Sequence, residues 1–139
     1  MARPSGGWPA GPGVVTFPDG TTVRGRGMRR PAPAGPAPQW RLALGHRDGD
    51  RVLAWRDFWL PADPADARAA FGQALALARD GMRVEVACGG GRGRTGTALA
   101  CMAVLSGVPA GEAVRWVRER YDRGAVETPW QRRVVRRFG

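Results

Sequence analysis

The chain has 139 residues, 43% of them hydrophobic and 8% aromatic, which is enough for one compact core and too little for a second independent domain. The formal net charge is +10 and every basic residue except His46 is an arginine, so the composition favours anionic partners. The sequence contains no apolar stretch long enough to span a membrane and does not begin like a signal peptide, so we expect a cytoplasmic protein. The two cysteines, Cys88 and Cys101, fit neither a disulfide framework nor a zinc site, and the sequence predicts no metal and no cofactor.

The first part of the chain is poor in regular structure. Residues 1–12 are rich in Gly and Pro without periodicity and are expected to be loose, which leaves a single domain over residues 13–139. Residues 31–38 repeat Pro among Ala and Gly, a composition that can continue neither a strand nor a helix. We expect this stretch to be an extended connector inside the domain.

The predicted strands come first and the predicted helices follow. β-prone runs bounded by turn residues indicate strands at residues 14–17, 21–24, 40–44, 51–55 and 84–87. Tight turns are expected at Pro18-Asp19-Gly20 and at Asp48-Gly49-Asp50. Apolar residues at helical spacing, with Asp63 and Pro64 as an N-terminal signal and Gly81 as a stop, indicate helices at residues 63–81, 99–105, 112–121 and 128–138. The pattern predicts an α/β fold, a small twisted central sheet flanked by helices.

The segment between the strand at residues 84–87 and the following helix carries the clearest chemistry. Four glycines in this segment allow successive backbone N–H groups to converge on one anion: Gly89, Gly90, Gly91 and Gly93. The N-terminus of the following helix adds the positive end of its dipole. Arg94 can fold back over the loop and hold two phosphoryl oxygens, and Arg92 adds a second positive charge. These surroundings favour the nucleophilic thiolate of Cys88, and Thr95 can donate a hydroxyl to its sulfur.

Three segments of the chain, taken together, resemble one known family. Cys-x5-Arg-Thr-Gly from Cys88 onward resembles the signature loop of the protein-tyrosine and dual-specificity phosphatases. Trp55-Arg56-Asp57-Phe58-Trp59-Leu60-Pro61 resembles the mobile acid loop of that family, and its Asp lies 31 residues before Cys88. Glu127-Thr128-Pro129-Trp130-Gln131 resembles the late loop that positions the hydrolytic water. The resemblance covers residues 40–138.

The resemblance implies a metal-independent phosphatase with a phosphate-binding loop between the central strand and a helix. Cys88 is then the nucleophile, Arg94 the phosphate clamp and Asp57 the general acid, and Gln131 or Glu127 holds the attacking water. The chain lacks the length for the loops that deepen the pocket of the large tyrosine-specific relatives, which indicates a compact, shallow site of dual-specificity size. The expected activity is that of a protein-tyrosine or dual-specificity phosphatase, with phosphotyrosine in protein as the first expected substrate. Arg92 places a second positive group inside the loop, which is similar to relatives that act on phosphoinositides or other polyphosphorylated ligands. Such ligands are the alternative substrate class.

The sequence departs from the family pattern at three positions. Ala87 stands where most relatives have a histidine before the cysteine, so one support for the thiolate is missing. Arg56 replaces the usual proline of the acid loop, and Glu127 replaces a glutamine, which places a carboxylate beside the phosphate site. These differences bear on rate and specificity.

Other interpretations of the same residues remain open at this point. Gly91-x-Gly93-x-x-Gly96 also matches a dinucleotide-binding fingerprint, although that motif should open a βαβ unit. Asp63 and Asp66 are alternative acids, and they fit better as a helix cap and a first-turn residue. Cys101 fits a helix core better than a disulfide with Cys88.

Two non-enzymatic functions are also compatible with the sequence. The chain could be a catalytically silent phosphate-binding module, or it could bind nucleic acid through its arginines, which is the weaker hypothesis because such a binder has no use for an acid at Asp57. Four arginines of the last predicted helix form either a solvated face or a docking surface for an acidic partner: Arg132, Arg133, Arg136 and Arg137.

Overall fold

The computed structural model describes residues 7–138, which form one five-stranded sheet and four helices. The strands are β1 (Val14–Thr16), β2 (Thr22–Gly27), β3 (Trp40–Leu44), β4 (Arg51–Leu53) and β5 (Val84–Cys88). The helices are α1 (Pro64–Arg79), α2 (Gly93–Leu105), α3 (Ala113–Arg120) and α4 (Pro129–Arg136). The strand order is β1-β2-β5-β3-β4, so β5 is the central strand and the predicted α/β fold is confirmed.

The strands pair in both directions. β1 and β2 form the antiparallel hairpin predicted around Pro18-Asp19-Gly20, whereas β2, β5, β3 and β4 are parallel neighbours. The turn at Asp48-Gly49-Asp50 therefore does not reverse the chain between β3 and β4. A short connection suffices because β4 has three residues and pairs only with the last three of β3, Leu42 to Leu44.

Two of the four helices, α1 and α4, begin at residues whose side chains satisfy free backbone N–H groups. The Asp63 carboxylate accepts the N–H of Asp66 at 3.1 Å and Pro64 follows it, as the sequence predicts. Thr128 caps α4 in the same way. α2 contains Cys101, packs against β5 and β2, and contacts each of the other three helices. Because α2 is surrounded, its side chains are apolar almost all round.

The N-terminal segment is better ordered than its composition predicts. Trp8 is buried, and its indole N–H donates to the carbonyl of Val84 at 2.7 Å. The guanidinium of Arg24 stacks on the Trp8 ring, 3.9 Å from the ring centre. One large aromatic side chain, that of Trp8, therefore anchors the chain to the sheet within the stretch expected to be loose; residues 1–6 lie outside the described part.

A charged cluster occupies one face of the sheet. Glu85, fully buried on β5, accepts hydrogen bonds from Arg24 on β2 at 2.9 Å and from Arg41 on β3 at 2.7 Å, both through the arginine Nε. Arg26 approaches the same carboxylate at 3.9 Å. Adjacent parallel strands bring these residues side by side, so one carboxylate holds the middle three strands together through charge.

We predict that Glu85→Gln destabilises the fold by about 3 kcal/mol or more, because it leaves the buried guanidinium of Arg24 without a counter-charge. The measurement is the free energy of unfolding from denaturant titration. Glu119→Gln is the matched control, since Glu119 is exposed and pairs with Arg120 at the surface; it should cost less than about 1 kcal/mol. Equal effects of the two variants would show that the cluster is not structurally important.

Candidate active site

The loop from Cys88 to Gly93 joins the end of β5 to the start of α2. The Cys88 sulfur is almost fully buried and accepts two hydrogen bonds, from the Gly91 N–H at 3.1 Å and from the Thr95 hydroxyl at 3.0 Å. Gly91 has φ +73°, and a Cβ there would collide with the backbone of Gly27. The loop can therefore pack against β2 only without a side chain at this position.

Arg94 is the buried cation of the site. Its Nη1 donates to the carbonyls of Trp55, at 3.1 Å, and Leu44, at 3.4 Å, which fixes the guanidinium under the acid loop. Its Nε is buried, and within the described residues it has no hydrogen-bond partner. An unsatisfied buried donor is costly, so this Nε is available to an acceptor that enters the site.

Asp57 lies at the edge of the same site, on the segment from Trp55 to Pro61. Its two carboxylate oxygens face two guanidinium groups, with Oδ1 3.6 Å from Arg94 Nε and Oδ2 3.8 Å from Arg29 Nη2. Both distances exceed that of a hydrogen bond, and the Asp57 side chain is 44% exposed. The acid is therefore close to the loop and accessible from outside.

Two residues beside the loop were not found from the sequence. Arg29 follows β2, where its N–H donates to the Gly89 carbonyl and its guanidinium lies over Gly89. His46 follows β3 and bonds through Nε2 to the carbonyl of Ala87, at 3.0 Å. Neither belongs to a motif, because the parallel pairing of the strands alone brings them to the loop.

The late loop supplies the carboxylate of Glu127 and the amide of Gln131, whose oxygen and nitrogen are both hydrogen-bonded. Glu127 lies against Gly93, where its carboxylate would meet any Cβ. Gln131 is fully buried, and its Oε1 accepts from the N–H of Glu127 at 3.0 Å while its Nε2 donates to the Trp59 carbonyl at 3.0 Å. In this arrangement Glu127 faces the phosphate loop and the Gln131 amide is used to join the two loops.

Several charges act on Glu127 at once. Partial burial raises the pKa of its carboxyl group, and the nearby Asp57 carboxylate raises it further, whereas Arg92 and Arg94 oppose the shift. Arg92 itself is exposed and lies 3.5 Å from Asp122. Its charge is therefore partly compensated within the protein, as that of Arg94 is by Asp57.

The acid loop is fastened by aromatic and amide donors. The Trp130 indole N–H donates to the Phe58 carbonyl at 2.6 Å, and the Trp55 indole donates to the Trp59 carbonyl at 2.8 Å. Phe58, at φ +60°, and Val126, at φ +61°, are the non-glycine residues with positive φ in the described part of the chain, one in each of these facing loops. A positive φ is strained backbone for these residues and persists only where surrounding contacts hold it. Here the Phe58 carbonyl is held by Trp130 and the Val126 carbonyl by Arg118.

Among residues 7–138, no three or more His, Cys, Asp or Glu side chains are grouped so that they could hold a metal ion. None of the helices formed there is long and apolar enough to cross a bilayer.

Comparison with protein families gives one match over most of the chain. The family model described as "Swiss Army Knife protein, DSP-PTPase phosphatase domain" matches residues 43–137. Two uncharacterized proteins of Methanocaldococcus jannaschii are 50% identical over 52 residues and 46% identical over 59 residues. These matches cover 37% and 42% of this chain and only 31% and 39% of those proteins.

The fold is also similar to that of solved structures. The crystal structure of Tk-PTP in the active form has a TM-score of 0.65 and 23% identity, and the alignment covers 91% of this chain and 96% of that one. A glycine-to-alanine mutant form of Tk-PTP has a TM-score of 0.63 and the same identity, with 89% and 93% covered. At this identity the similarity shows the fold.

We predict that Trp130→Phe loosens the acid loop, because phenylalanine keeps an aromatic ring but lacks the N–H that holds the Phe58 carbonyl. Hydrogen–deuterium exchange of the amides at residues 56–60 should accelerate about 2- to 10-fold, as expected for the loss of one hydrogen bond. Trp116→Phe is the control, since Trp116 stacks on Phe17 instead. Unchanged exchange in Trp130→Phe would exclude a fastening role for this indole.

Proposed function

The chain belongs to the family of DSP-PTPase phosphatase domains, and from that premise we propose that it hydrolyses phosphomonoesters with Cys88 as the nucleophile. The observation that carries the proposal is the unsatisfied, buried Nε of Arg94 beside a thiol that accepts two hydrogen bonds. A phosphoryl group in the loop would supply the missing acceptor. Its remaining oxygens would face the backbone N–H groups of residues 89–93 and the N-terminus of α2.

The proposed reaction has two steps. The Cys88 thiolate attacks phosphorus in line, the bond to the leaving oxygen breaks, and Asp57 transfers its proton to that oxygen. Water then attacks the cysteinyl-phosphate, Asp57 takes a proton from it, and inorganic phosphate leaves with the thiolate restored. The Thr95 hydroxyl supports the departing sulfur by donating to it, as it does at 3.0 Å in this structure.

The roles of the late-loop residues follow from which groups are free. Gln131 is fully buried, and its Oε1 and one of its two Nε2 hydrogens are already bonded, so it is less available to position the attacking water. Glu127 is better placed, because its carboxylate already faces the loop at Gly93. We therefore assign the water first to Glu127, with Gln131 as the alternative.

Phosphotyrosine in protein is the proposed substrate. A cavity of about 480 Å³ lies beside Asp57 and Arg94, and the half-exposed ring of Phe58 adjoins the acid, which suits an aromatic leaving group. A polyphosphorylated ligand is the second candidate, because Arg92 is exposed within the loop. Its pairing with Asp122 makes that candidate the weaker one.

Replacing each cysteine by serine separates the nucleophile from a core thiol. Cys88→Ser should lower kcat on an aryl phosphate by about 1,000-fold or more while phosphate binding survives, because the hydroxyl stays protonated and Arg94 remains. Cys101→Ser is the matched control: this thiol is buried in α2, and burial raises its pKa well above the usual range. Turnover kept in Cys88→Ser would overturn the assignment, and absence of turnover in the unaltered protein, with phosphate bound, would leave a silent phosphate-binding module.

Asp57→Asn should distinguish leaving groups, because a general acid matters only where the departing oxygen needs a proton. Phosphotyrosine leaves as a phenoxide whose conjugate acid has a pKa of about 10, so hydrolysis should slow by about 100-fold. An activated aryl phosphate should slow by less than about 10-fold. Asp63→Asn is the control, since asparagine also caps a helix well. If Asp57→Asn slows both substrates equally, the acid lies elsewhere.

A further inference from the structure

A second basic feature lies outside the phosphate loop, between α3 and α4. A groove of about 610 Å³ separates these helices, and we call it the α3–α4 groove. One carboxylate, that of Glu119, lines it together with five arginines: Arg115, Arg118, Arg123, Arg132 and Arg136. Its apolar lining comes from Ala110 and Val114. The groove therefore has a strongly positive wall over a small apolar floor.

The arginines of this groove differ in how far the protein uses them. Arg118 donates to the carbonyls of Ala125 and Val126, at 2.8 and 2.9 Å, and Arg115 approaches Glu112. The side chains of Arg123, Arg132 and Arg136 make no hydrogen bond or ion pair with any residue in the described part of the chain. Three guanidinium groups are thus free to bind a ligand.

Placing these charges together costs stability, and among the described residues Glu119 is the one carboxylate that lines the groove to offset it. Arg132 and Arg136 are four residues apart on α4, where like charges repel. The dipole of α4 favours a positive charge in its last turn, which accounts for Arg136 but not for Arg132 or for Arg123 in the preceding loop. In the sheet, by contrast, the protein supplies Glu85 to its clustered arginines.

We propose that the α3–α4 groove binds an acidic segment of the phosphoprotein substrate. Carboxylate side chains would pair with Arg123, Arg132 and Arg136, while short apolar side chains would rest on Val114. Single-stranded nucleic acid fits less well, because no aromatic side chain lines the groove for a base to stack on. A membrane surface also fits less well, since the exposed aromatic side chains lie on the acid and late loops and not in the groove.

One loop lies between the groove and the candidate active site. Arg118 holds the carbonyls of Ala125 and Val126, the two residues before Glu127, and Asp122 in the same loop approaches Arg92. A substrate chain with its phosphorylated residue in the phosphate loop would pass this loop to reach the groove. As a statement about substrates, this inference rests on the proposed phosphatase function, but binding to the groove does not require turnover.

The test compares two charge reversals on the same helix. Arg132→Glu/Arg136→Glu changes the groove, whereas Arg133→Glu/Arg137→Glu lowers the net charge equally but changes residues that line a neighbouring cavity. Fluorescence anisotropy measures the binding of a labelled, unphosphorylated Glu-rich peptide. We expect about tenfold weaker binding for the groove variant and about twofold or less for the control, with weaker binding of the unaltered protein as salt rises.

A kinetic comparison then tests the link to substrate. In the unaltered protein, kcat/KM for a phosphotyrosine peptide with a Glu-rich flank should exceed that for a Gly-rich flank about tenfold, and the groove variant should lose this preference while hydrolysing a small aryl phosphate normally. Equal losses of peptide binding in both variants, or tighter binding of an oligonucleotide or of phosphatidylserine vesicles than of the peptide, would overturn the proposal. Peptide binding without any turnover would contradict the proposed function and leave the groove assignment intact.

Discussion

The candidate site depends on how the guanidinium of Arg94 is held. Its Nη1 donates to the carbonyl of Leu44 at the end of β3 and to the carbonyl of Trp55 beyond β4. A single side chain from α2 therefore joins the carboxyl end of β3 to the start of the acid loop. A lysine could not make these contacts and still direct a second donor toward the phosphate loop. The unsatisfied Nε is the part of this arrangement that the folded protein leaves for a ligand.

Arginine has two different uses in this chain. Around Glu85, Arg24 and Arg41 are buried or half-buried and hydrogen-bonded, and they join the middle strands of the sheet through one shared carboxylate. The arginines of α4 and Arg92 of the phosphate loop are instead at the surface, so they contribute little to stability and remain available to anions. The net charge of +10 therefore overstates the positive charge that is available to ligands, because part of it belongs to arginines with a structural role.

The fold and the loop could be predicted because local sequence determines them. Asp63 and Pro64 are a local signal for a helix start, and the glycines after Cys88 permit the tightly curled backbone that the loop adopts. Arg29 and His46 could not be placed in this way, since each reaches the loop through the order and direction of the strands. Trp8 could not be placed from local sequence either. Its neighbours are rich in Gly and Pro and indicate a loose segment, and the partner of its indole, the carbonyl of Val84, is 76 residues away along the chain.

The acid loop and the late loop are best understood as one unit. Gln131 is expected to hold water, but its amide joins the N–H of Glu127 to the carbonyl of Trp59, so it is partly occupied while the acid loop is in this position. The proposed first step needs Asp57 near the phosphate loop, and this arrangement provides that. If Gln131 takes part in the proposed second step, either its second Nε2 hydrogen reaches the water or the bond to Trp59 breaks. If Glu127 suffices, the loops can stay joined throughout turnover, and the strained backbone at Phe58 and Val126 then serves to hold the acid in place rather than to drive a movement.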